Sequence, residues 1–213
     1  MARRRKPKDL RQACVREALT IIETSGVEGL SLREVSRRLG VSHQAPYKHF
    51  PSRDHILAEI VRQAYEAFAQ YLEERPTTGD PQEDLEEMGR AYVTYALTHP
   101  LQYRLMFGSP LPDPQEHPEM MSQAKYAYSL LRDGIDQLPE RAGDPGDGTC
   151  TDFDALFIWS TLHGLSSILH SHAIQTLEFP EEVLNEAATE ILMRIGRAVE
   201  GPAASGDVAE SEC

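Results

Sequence analysis

Apolar residues recur at helical spacing along almost the whole chain, and no stretch shows the strict alternation of a half-buried strand. Leu10, Cys14, Ala18 and Ile21 fall on one face of a first helix, whose end Gly26 and Gly29 bracket. Ser31 stands where an N-cap belongs, with Glu34 three residues on as its capping-box partner. Leu32, Val35 and Leu39 then form the inner stripe of a short second helix. Gly40 ends it, since glycine readily takes the left-handed conformation of a tight turn. Ser42 is set to cap a third short helix running to Phe50. Pro51 breaks the chain, and Ser52 caps a longer helix that buries Ile56, Leu57, Ile60, Val61, Ala64, Phe68 and Leu72.

The same period predicts further helices over 82–98, 101–107, 119–138, 152–173 and 180–199. Between them lie turn-forming residues at 76–81, a loop with four prolines at 108–118, and a polar, glycine-rich loop at 139–151 expected to be mobile. The small, polar stretch 201–213 is expected to be a disordered tail. The pattern describes an all-α protein of about nine helices without internal repeats.

The 213 residues suffice to bury a core without disulfides, and the three scattered cysteines argue against a disulfide framework. Neither a signal peptide nor a membrane-spanning run is evident, so a cytoplasmic protein is expected. The net charge of -13 looks wrong for a nucleic-acid binder, but its distribution reverses that impression. Residues 1–53 hold 12 Lys+Arg against 5 Asp+Glu, a net of +7, and the remaining 9 basic and 29 acidic residues give -20. A positive head on an acidic body fits DNA binding through the head alone.

Two short helices joined by a glycine turn are the helix-turn-helix arrangement. Leu32, Val35, Leu39 and Val41 would pack the pair, and the small Ala45 lets the two helices approach. The outer face of the second helix then offers Ser42, His43, Gln44, Tyr47 and Lys48 to the major groove. Gln can pair bidentately with adenine, His and Lys can donate to guanine, and Tyr can donate to phosphate. Ser31 and Arg33, at a helix N-terminus with free backbone N–H groups, suit a phosphate. The basic run from Arg3 to Lys8 reads equally as a solvated tail or as an arm reaching into the neighbouring groove.

The run Leu30-Ser31-Leu32-Arg33-Glu34-Val35, then Leu39-Gly40-Val41-Ser42, then Tyr47-Lys48-His49-Phe50-Pro51-Ser52-Arg53, closely resembles the TetR family of bacterial transcriptional regulators. The match spans roughly residues 10–57. The resemblance implies that Tyr47, Lys48 and His49 lie along the DNA backbone and that Arg53 meets phosphate. One departure is Pro46, which falls inside the third helix, crowds the preceding turn and points to a short or irregular reading helix. Later, Tyr95-Ala96-Leu97-Thr98-His99-Pro100, Tyr103-Arg104-Leu105-Met106-Phe107 and Trp159-Ser160-Thr161-Leu162-His163-Gly164 resemble the C-terminal subtype named for its Trp-His-Gly pattern. The implied organisation is a basic arm over 1–9, a DNA-binding domain over 10–53, a regulatory and dimerisation domain over 54–200, and the tail.

Within 152–173, Ile158, Leu162, Leu165 and Leu169 form a core stripe, while Ser160, Gly164, Ser167 and Ser171 form a stripe of small residues suited to close helix approach. With Ile191 and Ile195 of the last helix, Ser160, Gly164 and Ser167 are the expected dimer contact. Trp159, His163, Ser166 and His170 share a third stripe, and His99 and His172 bring the histidines to a number that invites a metal reading. The paired short spacing of metal ligands is missing, so no metal or cofactor is expected, and His163 reads as a core or a pocket residue. Tyr92, Tyr95, Met106, Phe107, Tyr126, Trp159 and His163 are the candidate lining of a site for a small, largely apolar effector. Neither a nucleophile elbow nor a phosphate loop is present, so the reading is not an enzyme. It is a ligand-responsive regulator, a repressor by family analogy, that binds a palindromic double-stranded operator as a homodimer and is released by its effector.

Overall fold

The computed structural model describes residues 9–108, 110–139, 148–171 and 173–199. The arm before Asp9, most of the 139–151 loop, His172 and the tail from Gly201 lie outside the described residues. Every regular element among the described residues is helical: α1 (Leu10–Ser25), α2 (Leu32–Leu39), α3 (Arg53–Glu73), α4 (Pro81–Thr98), α5 (Pro100–Phe107), α6 (Pro118–Asp136), α7 (Thr149–His170), α8 (Ala173–Thr176) and α9 (Glu181–Val199), with 3-10 turns at Val27–Gly29 and Pro46–Lys48.

Two expectations need correction. The third helix expected from Ser42 to Phe50 is only the single 3-10 turn Pro46–Lys48. Proline has no N–H to return to the Ser42 carbonyl, so that oxygen instead takes the Ala45 N–H at 2.9 Å, a tighter i to i+3 closure. The helix expected over 152–173 starts earlier, at Thr149, and ends at His170, because Ser171 turns extended (φ -77°, ψ 132°) before α8 begins. Cys14 is buried and free.

The chain groups into two compact units, residues 1–67 with 101–124, and residues 68–100 with 125–213. In the first, Cys14, Val15, Ala18, Ile21 and Ile22 of α1 meet Leu32 and Val35 of α2, Phe50, and Ile56, Leu57 and Ile60 of α3. Leu105 of α5 and Met120 of α6 belong to the same core. Tyr65 of α3 donates its hydroxyl to the Met106 carbonyl at 2.8 Å. In the second unit α4 packs on α7 and α9, and a Cβ on Gly89 would run into Leu192 and touch Leu162, so glycine is what lets these helices approach.

One charged group is sealed into the first unit. Glu59 of α3 is 7% exposed, yet Arg11 of α1 bonds it at 3.0 Å, Arg62 at 3.1 Å and Gln63 at 2.6 Å. Burial pushes this carboxyl up, but the bonds from Arg62, Arg11 and Gln63 outweigh it and hold it at about 2, below the ordinary 4.5. A buried ion pair broken on one side leaves uncompensated charge, so Glu59→Gln should cost about 3 kcal/mol in urea unfolding at neutral pH. A carboxyl depressed by folding stabilises fully above its unfolded pKa, and that contribution is lost as pH falls from 4.5 towards 2. The gap between wild type and Glu59→Gln should therefore be flat above about pH 5 and close across the acid window. A gap that persists unchanged at low pH would show that the carboxylate charge is not its source.

Candidate nucleic-acid interface

α2 begins where Ser31 leaves extended backbone (φ -147°, ψ 146°) and its Oγ accepts the Glu34 N–H at 3.1 Å. This is the expected N-cap, but the reciprocal half of the expected capping box is not made, because Arg37 and Arg38 take the Glu34 carboxylate. The Glu34 carboxylate is bonded to Arg37 and Arg38, which hold it at about 2. Leu32 and Val35 face the core, and Gly40 ends the helix in the left-handed region (φ 67°, ψ 31°). Its N–H returns to α2 at the Arg37 carbonyl (3.2 Å), and the Val41 N–H to the Ser36 carbonyl (3.1 Å).

The segment after this turn is held by its ends. Phe50 is buried, and the guanidinium of Arg11 sits 5.2 Å from its ring centroid. The N–H groups of His49 and Phe50 both return to the Pro46 carbonyl, at 2.9 and 3.0 Å. Between these anchors Ser42, His43, Gln44, Tyr47, Lys48 and His49 are exposed. The His43 and Tyr47 rings lie 5.6 Å apart, and the Gln44 amide nitrogen is 3.4 Å from His43 Nδ1. Ser31 and Arg33 are exposed at the start of α2. Arg53 differs from the rest. It is only partly exposed, and its guanidinium donates to the carbonyls of Val27 and Leu30.

The other sequence-predicted residues fall as follows. Met106 and Phe107 are in the first unit, where Phe107 meets Tyr65 edge-on at 6.0 Å. In the second unit Tyr92 and Tyr95 both pack on Phe68, and Tyr95 stacks on His99 at 4.4 Å. The Tyr95 and Ser166 hydroxyls are buried without a hydrogen-bond partner among the described residues. Burial pushes the Tyr95 hydroxyl up to about 12 and His163 down from its ordinary value. Tyr126 is on the surface, bonded to Glu73, and Trp159 meets Tyr128 edge-on at 6.0 Å.

On α7, Ser160 and Ser167 are exposed and Gly164 half-buried, on a face that also exposes Phe153, Leu156, Phe157 and Ile168. On α9, Ile191 is half-buried, while Ile195 is buried within the single chain. Sequence reading missed Phe153, Leu156 and Phe157, although their spacing with Ser160 and Gly164 at 3–4 residues was there to be read. Among the described residues no group of three or more His, Cys, Asp or Glu is placed to hold a metal ion. No helix there is long and apolar enough to cross a membrane.

A capped helix, a left-handed glycine turn and an exposed polar segment seated on a shared core define a helix-turn-helix protein of the DNA-binding regulator class. Residues 15–60 match the description "bacterial regulatory proteins, tetR family", and residues 85–200 match the tetracyclin repressor-like C-terminal domain. The chain belongs to the TetR family of bacterial regulators. The HTH-type transcriptional regulators Mb1846 of Mycobacterium bovis and Rv1816 of Mycobacterium tuberculosis are each 34% identical over 90 residues, 41% of this chain. The chain thus spans 38% of the length of these curated relatives. A solved protein of unknown function from Rhodococcus sp. RHA1 aligns with TM-score 0.70 at 26% identity, covering 90% of this chain and 96% of that one. The TetR family transcriptional regulator PfmR from Thermus thermophilus aligns with TM-score 0.61 at 20% identity, covering 86% and 97%, a likeness of fold alone.

A Cβ on Gly40 would meet nothing within 4 Å, so the turn needs glycine for the sign of φ and not for room. Gly40→Ala should therefore cost about 1 kcal/mol, the price of a left-handed alanine, read as a lower urea midpoint with unchanged slope. A cost near zero would mean that the turn relaxes to another conformation.

Proposed function

We propose that this chain is a one-component transcriptional repressor that binds a palindromic operator as a homodimer in the cytoplasm and is released by a small effector. The observation that carries this reading is the exposed row Ser42, His43, Gln44, Tyr47 and Lys48 on a segment anchored at both ends. The charge partition supports it, with +7 in residues 1–53 against -20 in the rest. In this reading residues 10–53 are the reading head, with the 1–9 arm beside it, and 54–200 the regulatory body. Gln44 and His43 read bases, Lys48, Tyr47, His49, Ser31 and Arg33 engage phosphates, and two heads sit about 34–36 Å apart on successive major grooves. The Trp159 to Gly164 run leads us to the Trp-His-Gly subtype for the body.

Electrophoretic mobility with the duplex upstream of the chain's own gene tests the reading, and failure to shift any duplex at low salt would sink it. Lys48→Ala should lower the slope of log K against log salt by about 0.9 for every sequence. Gln44→Ala should cost about 1–3 kcal/mol at one base position per half-site. A site selection returning the wild-type consensus for Gln44→Ala would remove Gln44 from base readout.

The homodimer reading rests on the outward face of α7, where Phe153 is 65% exposed and small Ser160, Gly164 and Ser167 lie between larger apolar groups. A Cβ on Gly164 meets nothing within 4 Å of the protomer. Gly164→Leu should therefore leave the protomer folded, shift sedimentation towards monomer and weaken operator binding. An unaffected dimer would place the contact elsewhere.

The effector reading rests on the ring cluster of Phe68, Tyr92, Tyr95 and His99 and on the unpartnered Tyr95 hydroxyl. Burial raises the Tyr95 hydroxyl to about 12 and disfavours the charged form of His163, which suits a neutral, largely apolar molecule with one or two hydrogen-bonding groups. Removing a buried, unpaired hydroxyl relieves its desolvation, so Tyr95→Phe should raise the melting point of the free protein, by about 1 kcal/mol of stability. The same change should abolish the thermal shift produced by compounds that release the wild type from DNA. Release unaltered in the variant would remove Tyr95 from the effector site.

A further inference from the structure

We propose that Arg53 is a positioning residue: it fixes the start of α2 through the backbone of the α1–α2 turn and does not itself contact phosphate. The proposal rests on the DNA-binding reading above. Arg53 opens α3, and its side chain reaches back more than twenty residues. Nη2 donates to the Val27 carbonyl at 2.8 Å, and Nε donates to the Leu30 carbonyl at 3.2 Å. Nη1 is bonded to Asp54 at 3.3 Å, which offsets part of the positive charge.

The two carbonyls bracket the 3-10 turn that joins α1 to α2. The Val27 oxygen also accepts the Leu30 N–H at 3.1 Å, so turn and guanidinium are tied at one atom. The next residue is Ser31, the cap of α2. Pinning Val27 and Leu30 therefore sets the direction in which the first N–H groups of α2 point, together with exposed Ser31 and Arg33. Those N–H groups form the anion-binding end of the helix, and their value to a phosphate depends on aim. A planar guanidinium can span two carbonyls three residues apart with fixed donors, whereas an ammonium on a flexible stem cannot hold both. Lys48, by contrast, is exposed on the reading segment and suits a direct phosphate contact.

The test uses the full chain and a labelled duplex enriched by the wild type from a random library. Arg53→Ala should weaken binding about tenfold at every salt concentration, as expected for lost hydrogen bonds to a charged group, with the slope of log K against log salt unchanged. Lys48→Ala should lower that slope by about 0.9. In the free protein, amide exchange over residues 31–35 should quicken several-fold in Arg53→Ala and stay unchanged in α9. Arg53→Lys keeps the charge and loses the fork, and should behave as Arg53→Ala in both measurements. A slope lowered by about 0.9 in Arg53→Ala, wild-type binding by Arg53→Lys, or unchanged exchange over 31–35 would each overturn the proposal. If the wild type enriches no duplex, the DNA-binding reading fails, and the exchange measurement still decides the clamp.

Discussion

Leu32 and Val35 of α2 and Phe50 beyond the turn have almost no exposed surface, and they close one core with Cys14, Ala18 and Ile21 of α1 and Ile56, Leu57 and Ile60 of α3. Everything on the reading surface depends on that packing. An eight-residue helix and a single 3-10 turn are too short to persist in water alone, because the nucleation cost outweighs the few bonds they gain. Their apolar side chains supply what the backbone cannot. The polar residues between these anchors are therefore held outward by the burial of their neighbours, not by helix propensity.

The charges of the first unit divide into those that hold the fold and those that remain on its surface. Arg11 and Arg62 are tied to Glu59, Arg37 and Arg38 to Glu34, and Arg53 to backbone carbonyls and Asp54. A count of basic residues thus overstates the positive charge that the first unit leaves unpaired by its own carboxylates. A buried carboxylate ringed by partners keeps its charge because two guanidiniums and an amide replace the lost water. The same network joins α1 to α3, so the scaffold under the reading segment is held by polar as well as apolar contacts.

The second unit follows a different rule. There α4, α7 and α9 come close because glycine stands at the contact, with Gly89 against Leu162 and Leu192. The opposite face of α7 carries Phe153, Leu156, Phe157 and Ile168 with open space over Gly164. A protomer that exposes large apolar side chains at helical spacing leaves solvent against surface that is costly to hydrate. The orphaned hydroxyls of Tyr95 and Ser166 add a second unmet demand inside the same unit.

The sequence by itself determined the helical class, the Ser31 cap, the Gly40 turn and the positive head, because each is a local matter of period, capping chemistry or composition. It also flagged Pro46, since a missing N–H is a property of one residue. Ile195 shows where that reasoning stopped: its spacing marked an apolar face, but whether that face turned to a second copy or to its own protomer depended on where α4 came to lie. Leu105 and Met120 joined the head's core from far along the chain, and Glu59 found Arg11 across 48 residues. The guanidinium of Arg53 was legible as a positive charge near the reading segment. Only the tertiary structure decided that it turned back to the α1–α2 turn, because the carbonyls of Val27 and Leu30 became its partners once α1, α2 and α3 had packed.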